Sequence, residues 1–310
     1  MSLIIEVSDL NKQYGSKRAL QDVTFSLEPG VVGLLGPNGS GKSTLIKALL
    51  GLVKVLSGSV SVLGKPVPQE VRWVRDHVGY LPEDDCFISG LTGIESVHLM
   101  ARLAGLTLRE GLRRSHEILD YADIGQERYR AVETYSTGMR QKLKFAQALV
   151  HDPRLLILDE PTNGLDPGQR VLMLDRIKTL AHQFGKSIIL STHILHDVQA
   201  CCQAVVILAG GRVKRTDRLE NLSRPARDGI QVTLRDHPGR FLEELRRGGM
   251  EAELQSDGTV WVHEPKNDTG RELMRIAQSV GNIVIGIRPA KHSLEQIFME
   301  AIRLTEHATA

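Results

Sequence analysis

The stretch Gly36-Pro37-Asn38-Gly39-Ser40-Gly41-Lys42-Ser43 sets its outer glycines and its lysine at the spacing G-x-x-x-x-G-K-[ST], and Thr44 follows it. Ahead of it, Val31–Leu35 is a short apolar run bounded by Gly30 and Gly36, which reads as a buried strand. Behind it, Leu45–Leu50 is almost wholly apolar and reads as a helix that Gly51 closes. Strand, glycine-rich turn, helix is the context in which such a loop works, and chance alone supplies the pattern in roughly one chain of this length in a hundred.

The chemistry follows from the residue types. Glycines let the backbone curl so that successive N–H groups point at phosphate oxygens, and the helix N-terminus adds its own positive end. Gly36, Pro37, Asn38, Gly39, Ser40 and Gly41 are therefore expected to form the cradle itself. Lys42 would bridge the β- and γ-phosphates as a point charge. Ser43 would offer its hydroxyl to Mg²⁺, with Thr44 extending that hydroxyl-bearing edge.

A cradle for a nucleoside triphosphate needs a metal ligand and a base, and the chain supplies candidates downstream. Leu155-Leu-Ile-Leu-Asp-Glu160 is an apolar strand ending in two carboxylates. Asp159 is placed to hold Mg²⁺ and its waters, and Glu160 to polarise the attacking water. Ser191-Thr192-His193 ends the next buried strand, where His193 would reach the γ-phosphate and orient water. His193 and His196 stand three apart with no third ligand, so a metal site there is rejected.

Further out, residues 3–27 read as a small antiparallel sheet with a polar turn at Asn11–Lys17. From about Cys86 to Val150 the pattern is helical, with apolar positions at helical spacing in Ile94–Leu103 and Leu112–Tyr121. Asp166-Pro167 reads as N-cap and first residue of a helix that Gly185 stops. Ser187–Leu190 and Ala204–Leu208 are two more buried strands. A boundary is expected near Ser223–Asp228, giving domains at 1–222 and 226–310. Past it the order β-α-β-β-α-β predicts a ferredoxin-like appendage. A last helix follows, with Ser293 and Gln296 as a capping box and Leu294, Ile297, Phe298 and Ile302 on one face.

Taken together, these pieces resemble the ATP-binding cassette (ABC) family over about residues 3–220. The most specific stretch is Glu160-Pro-Thr-Asn-Gly-Leu-Asp-Pro167, which looks like the family's passage from catalytic glutamate to D-loop. The resemblance implies an α/β P-loop NTPase fold: a RecA-like core, an antiparallel β subdomain, a helical subdomain at about 86–150 and a small α+β C-terminal domain. It also implies ATP and Mg²⁺ as cofactors and ATP hydrolysis coupled to transport. Tyr14 matches the aromatic position that stacks on adenine. Tyr135-Ser136-Thr137-Gly138-Met139 stands where the family has its Leu-Ser-Gly-Gly-Gln signature; Ser136 and Gly138 are kept, and would contact the γ-phosphate of the opposite subunit. Asp166 would lie at the dimer interface. Glu83, in Gly79-Tyr-Leu-Pro-Glu83, replaces the usual Q-loop glutamine with a carboxylate that accepts but cannot donate. Such Glu versions belong to the drug- and ion-efflux-like branch. The C-terminal pattern Leu294-Glu295-Gln296-Ile297-Phe298 resembles the same branch, which favours an exporter.

The bulk composition is compatible with this. The 310 residues carry a formal net charge of +2, which does not call for nucleic acid as a partner. Cys86, Cys201 and Cys202 have no metal-ligand spacing and suit a reducing compartment, the adjacent pair being placed on a helix near the core. No signal peptide and no apolar run of membrane-spanning length is read. The expected partners are a second nucleotide-binding subunit, identical or not, and an integral membrane permease. That places the chain in the cytoplasm, peripheral on the inner face of the cell membrane. The alternative is a soluble ABC ATPase acting on ribosomes or DNA; a single cassette without long coiled coils speaks against it. Arg113-Arg114 and Arg246-Arg247 read as solvated helix faces, and Trp73 and Trp261 as packing.

Overall fold

The structure is a computed structural model that describes residues 3–222, 229–255, 257–263, 268–289, 294–295 and 297–299. Its strands up to Leu219 are β1 (Ile5–Tyr14), β2 (Lys17–Leu27), β3 (Val31–Leu35), β4 (Ser57–Val62), β5 (Lys65–Val67), β6 (Val78–Leu81), β7 (Leu155–Asp159), β8 (Ser187–Thr192), β9 (Ala204–Ala209) and β10 (Arg212–Arg218). Six of them form one sheet in the order β10-β9-β3-β8-β7-β6. Within it, β9, β3, β8, β7 and β6 run parallel and β10 runs antiparallel to β9. Every residue of β3, β7 and β8 is buried, as expected of parallel strands covered on both faces.

The period of two along these strands divides the core. Leu156, Leu158, Ile188 and Leu190 join a cluster with the helices Gly93–Leu103, Leu108–Tyr121 and Thr137–Leu149. Leu155, Ile157 and Ile189 face the other way, into a cluster with helix Lys42–Leu49 and the antiparallel sheet β2-β1-β4-β5. This is the P-loop fold with its antiparallel and helical additions that the sequence implied.

Some local expectations are corrected. Asn11–Tyr14 is not a turn but the end of β1, paired to β2 through Lys12↔Leu20, Gln13↔Arg18 and Tyr14↔Lys17. Asn11 still pairs with Ser57 of β4, but Lys12–Tyr14 lie beyond that pairing, so their side chains meet water while their backbone stays in the ladder with β2. Gly15, at φ +55°, makes the reversal. β4, β5, β6 and helix Val71–His77 lie in a stretch for which no elements were predicted. The serine alternation of Ser57-Gly-Ser-Val-Ser-Val62 and the brevity of β6 hide them. Helix Leu108–Tyr121 begins a turn earlier than expected, because Thr107 and Glu110 form a capping box; Thr92 and Glu95 do the same for Gly93–Leu103. Cys201 ends helix Leu195–Cys201 and is buried.

The second compact unit is Glu220–Ile297. Its strands β11 (Gly229–Leu234), β12 (Ala252–Leu254), β13 (Val260–His263) and β14 (Val284–Pro289) form an antiparallel sheet in the order β12-β13-β11-β14. With helices Gly239–Arg247 and Thr269–Ser279 between them, the topology is the ferredoxin-like one. Val232, Phe241, Leu245, Val260, Val262 and Leu273 make its core, and Trp261 is buried too. Arg246 is not simply solvated: its Nε and Nη2 donate to Ala252 O at 3.2 and 3.1 Å, pinning the helix to β12. Leu294, Ile297 and Phe298 are buried. Residues 223–228, Ser293, Gln296 and Ile302 lie outside the described residues.

Candidate active site

The loop between β3 and helix Lys42–Leu49 takes its shape from glycines. Gly39 and Gly41 have φ of +78° and +107°, in the left-handed region. A Cβ on Gly36 would lie 2.3 Å from Leu208 O and 2.5 Å from Ser40 Oγ, too close for any side chain. Ser40 is buried behind the loop, and its N–H donates to Pro37 O at 3.1 Å. Lys42 folds back over the loop, donating from Nζ to Gly36 O at 2.7 Å and Pro37 O at 3.3 Å. Burial lowers the pKa of its ammonium, against the opposing pull of Glu160, Asp159 and Glu83.

A cleft of about 390 Å³ opens over the loop. Asn38, Gly39, Gly41, Lys42, Ser43 and Thr44 line it together with Tyr14, Glu83 and Glu160. Tyr14 is 45% exposed, and Lys12 Nζ lies 4.4 Å from its ring centroid. Lys17 and Ala19 also line the cleft and were not foreseen. The pairing Tyr14↔Lys17 places them there, and that pairing becomes visible only once the turn is put at Gly15.

Adjacent parallel strands build the hydrolytic edge. β7 and β8 pair so that Asp159 lies opposite Ser191, which sets Glu160 beside Thr192 and His193. Glu160 N donates to Ser191 O at 2.9 Å. Its Oε1 accepts from His193 N at 3.1 Å and stands 2.8 Å from His193 Nδ1, while Oε2 accepts from Thr192 Oγ1 at 3.3 Å. Glu160 has φ +51°, left-handed for a residue with a Cβ and with a proline following. Such a conformation costs on the order of 1–3 kcal/mol and persists only where the surroundings enforce it. Gln141, buried on helix Thr137–Leu149, donates from Nε2 to Glu160 O at 2.8 Å. Sequence reasoning missed it, because Gln141 stands between Arg140 and Lys142 and nothing in that polar stretch signals its burial.

Asp159 is 2% exposed, and its Oδ1 has no hydrogen-bond partner; nor has the buried Ser191 Oγ. Burial raises the pKa of its carboxyl, and the charges of Glu83 and Glu160 raise it further, with Ser191 and Ser43 opposing. An orphaned carboxylate oxygen near Ser43 and a second carboxylate fits a hard cation with oxygen ligands. No cluster of three or more His, Cys, Asp or Glu able to hold an ion occurs among the described residues. Lys144, also missed, fixes the Glu83 loop by donating to Pro82 O at 3.1 Å and Glu83 O at 2.9 Å.

Gly36, Pro37, Ser40, Asp159 and His193 do not line this cleft, and neither do Ser136, Gly138 and Asp166. Ser136 caps helix Thr137–Leu149, accepting from Met139 N at 3.3 Å. Asp166 caps helix Pro167–His182, accepting from Gln169 N at 2.9 Å. Gly138 sits between them: a Cβ there would meet Gln169 Oε1 at 2.7 Å. They form a corner, exposed at Ser136 and Asp166 and half-buried at Gly138, outside the cleft that the cradle lines.

Fold and site together define a P-loop ATPase. A family model described as ABC transporter matches residues 20–163. An uncharacterized ABC transporter ATP-binding protein of Bacillus subtilis, YdbJ, is 36% identical over 300 residues, covering 96% of this chain and 95% of its own. The Nod factor export ATP-binding protein I of Rhizobium etli is 37% identical over 209 residues, 67% of this chain and 66% of that one. Among solved structures, the dimeric structure of the bacterial ABC transporter cassette MJ0796 superposes with a TM-score of 0.65 at 25% identity, over 69% of this chain and 98% of that one. The chain belongs to the ABC transporter ATP-binding proteins: it is an ATP-binding, ATP-hydrolysing subunit of an ABC transporter. No helix among the described residues is long and apolar enough to cross a membrane.

Proposed function

We propose that two such subunits, identical or paired with another cassette, enclose two ATP molecules, each between one cradle and the other subunit's Ser136–Gly138 segment. The observation that carries this reading is the separation just described. Glu160 and the cradle share one cleft, while the Ser136 corner lies apart with its helix N-terminus exposed. A helix N-terminus with a hydroxyl and a close backbone N–H suits a γ-phosphate supplied from outside the chain. Hydrolysis is then gated by dimer closure.

Within each site, Lys42 holds the β- and γ-phosphates and Tyr14 stacks on adenine. Ser43, Asp159 and Glu83 would hold Mg²⁺, which when bound neutralises developing phosphate charge. Glu160 polarises the attacking water, and His193, already hydrogen-bonded to it, orients that water and the γ-phosphate. Asp166, at the cap beside Gly138, joins the two sites across the interface.

The dimer drives an integral membrane permease, which places the chain peripherally on the inner face of the cell membrane. Glu83 at the Q-loop position and the relationship to a Nod factor export ATP-binding protein support an exporter. A tagged chain purified from detergent-solubilised native membranes should bring down a polytopic protein in near-equal amount. Recovery solely from the soluble fraction, with ribosomal or DNA-bound proteins, would overturn the transport reading while leaving the ATPase intact.

A further inference from the structure

We propose that Gln141 is a positioning residue that ties catalytic Glu160 to the helix presenting Ser136 to the partner subunit. The inference rests on the composite-site reading above and adds a connection within one chain between its two half-sites.

Three observations converge on it. Glu160 holds a left-handed φ of +51° that its side chain and the following Pro161 both disfavour. Its carbonyl accepts from Gln141 Nε2 at 2.8 Å and from Asn163 N at 3.1 Å. The Asn163 bond is local, a turn that leaves with the loop if the loop moves. Gln141 is therefore the only distant group among the described residues shown to hold that carbonyl, and it is 4% exposed, away from competing water.

The second link is the helix. Gln141 sits little more than one turn from the Ser136 cap, on a helix that moves as a rigid rod over such a distance. Lys144, on the same helix, fixes the carbonyls of Pro82 and Glu83. One helix thus holds the backbone of the base and the loop of a candidate metal ligand in its own site, while its N-terminus completes the other site. A displacement of the Ser136 end on docking to the partner's γ-phosphate shifts the Gln141 donor against Glu160 O. Since φ of Glu160 is held against its preference, loss of that donor lets the peptide relax and turns the carboxylate away from the water it polarises.

The test uses the full chain with Gln141→Ala and Gln141→Glu, the second keeping the shape but replacing the donor with an acceptor. Both should lower kcat for ATP about tenfold or more while KM for ATP stays within about twofold, since positioning is lost and binding is not. Because ATP is bound but slowly cleaved, both variants should also accumulate an ATP-dependent dimer in gel filtration, which a merely damaged helix would lose. In a Glu160→Gln background, adding Gln141→Ala should change neither the dimer nor the residual rate, as removal of a group acting only through Glu160 predicts. Unchanged kcat in Gln141→Glu, or loss of the dimer in both single variants, would overturn the proposal. If Glu160→Gln by itself hydrolyses ATP at the normal rate, the failure lies with the reading of Glu160, a distinct outcome that also removes the proposal's basis.

Discussion

The cradle and the hydrolytic edge face each other across one cleft, yet they are built on opposite plans. The cradle is a single contiguous loop whose working groups are backbone N–H donors and one lysine. Its geometry is fixed by steric exclusion, as at Gly36, where a Cβ would lie 2.3 Å from Leu208 O. The edge is gathered from β7, β8 and helix Thr137–Leu149, and its working groups are side chains held by a few hydrogen bonds around a disfavoured backbone. Binding is thus carried by shape, and hydrolysis by a small number of replaceable atoms. Single substitutions should therefore separate the two functions.

The largest separation is expected at Glu160. Glu160→Gln should retain ATP binding and lower phosphate release by roughly 10²–10⁴-fold, the range that a general base contributes. Phosphate release within tenfold of the parent would break the distinction, by showing that the edge is not where water is activated.

The cradle supplies the converse. Lys42→Ala removes the main cation for the phosphates and should weaken nucleotide affinity by about 10–100-fold, the value of one or two charge-assisted bonds. Calorimetry reporting unchanged affinity would show that the backbone alone carries binding.

Asp159 sharpens the comparison through pH. Its folded carboxyl pKa is raised by burial, so the folded state holds a proton that the unfolded state releases. The nucleotide-free chain therefore loses stability as pH rises from the ordinary aspartate value through the raised one. Asp159→Asn should remove that loss and raise the melting temperature near neutral pH, with no such gain at acid pH. It should at the same time weaken Mg²⁺-dependent ATP binding. A lower melting temperature would mean that the carboxylate is satisfied in the folded chain.

The smallest effect lies outside the cleft. Thr92→Ala removes one half of a capping box and should cost about 1 kcal/mol of stability, with ATP affinity unchanged. The Thr92 backbone N–H and then its hydroxyl hold the Glu95 carboxyl below its usual range, so the Glu95 half of the box contributes in full above the ordinary glutamate range and is lost as pH falls through the depressed value. The gap between thermal melts of the parent and of Thr92→Ala should narrow in acid but persist, because the bond from Glu95 N to the Thr92 hydroxyl does not titrate.

The contrast in construction also explains what could be read in the chain. A contiguous loop between an apolar strand and an apolar helix writes its function into neighbouring residues, so Gly36 to Thr44 was legible. The apolar runs of β3, β7, β8 and β9 were legible for the same local reason, and βαββαβ order revealed the C-terminal unit. Gln141, Lys144, Lys17 and Ala19 were not, because their roles arise from strand register and helix packing between segments far apart in sequence. β4 was hidden because serines occupy its solvent-facing positions, β5 because it is three residues long with a proline at its centre, and Asn11–Tyr14 because a polar strand end looks like a turn. Ser136, Gly138 and Asp166 were singled out by resemblance; within the chain Ser136 and Asp166 cap helices, and the role proposed for them belongs to the dimer.

That dimer is the central claim, and sedimentation velocity of Glu160→Gln with ATP and Mg²⁺ tests it most directly. A species of twice the monomer mass that forms with ATP and is absent without nucleotide is the expected result. A chain that stays monomeric under conditions where calorimetry shows its cradle filled would contradict the composite site.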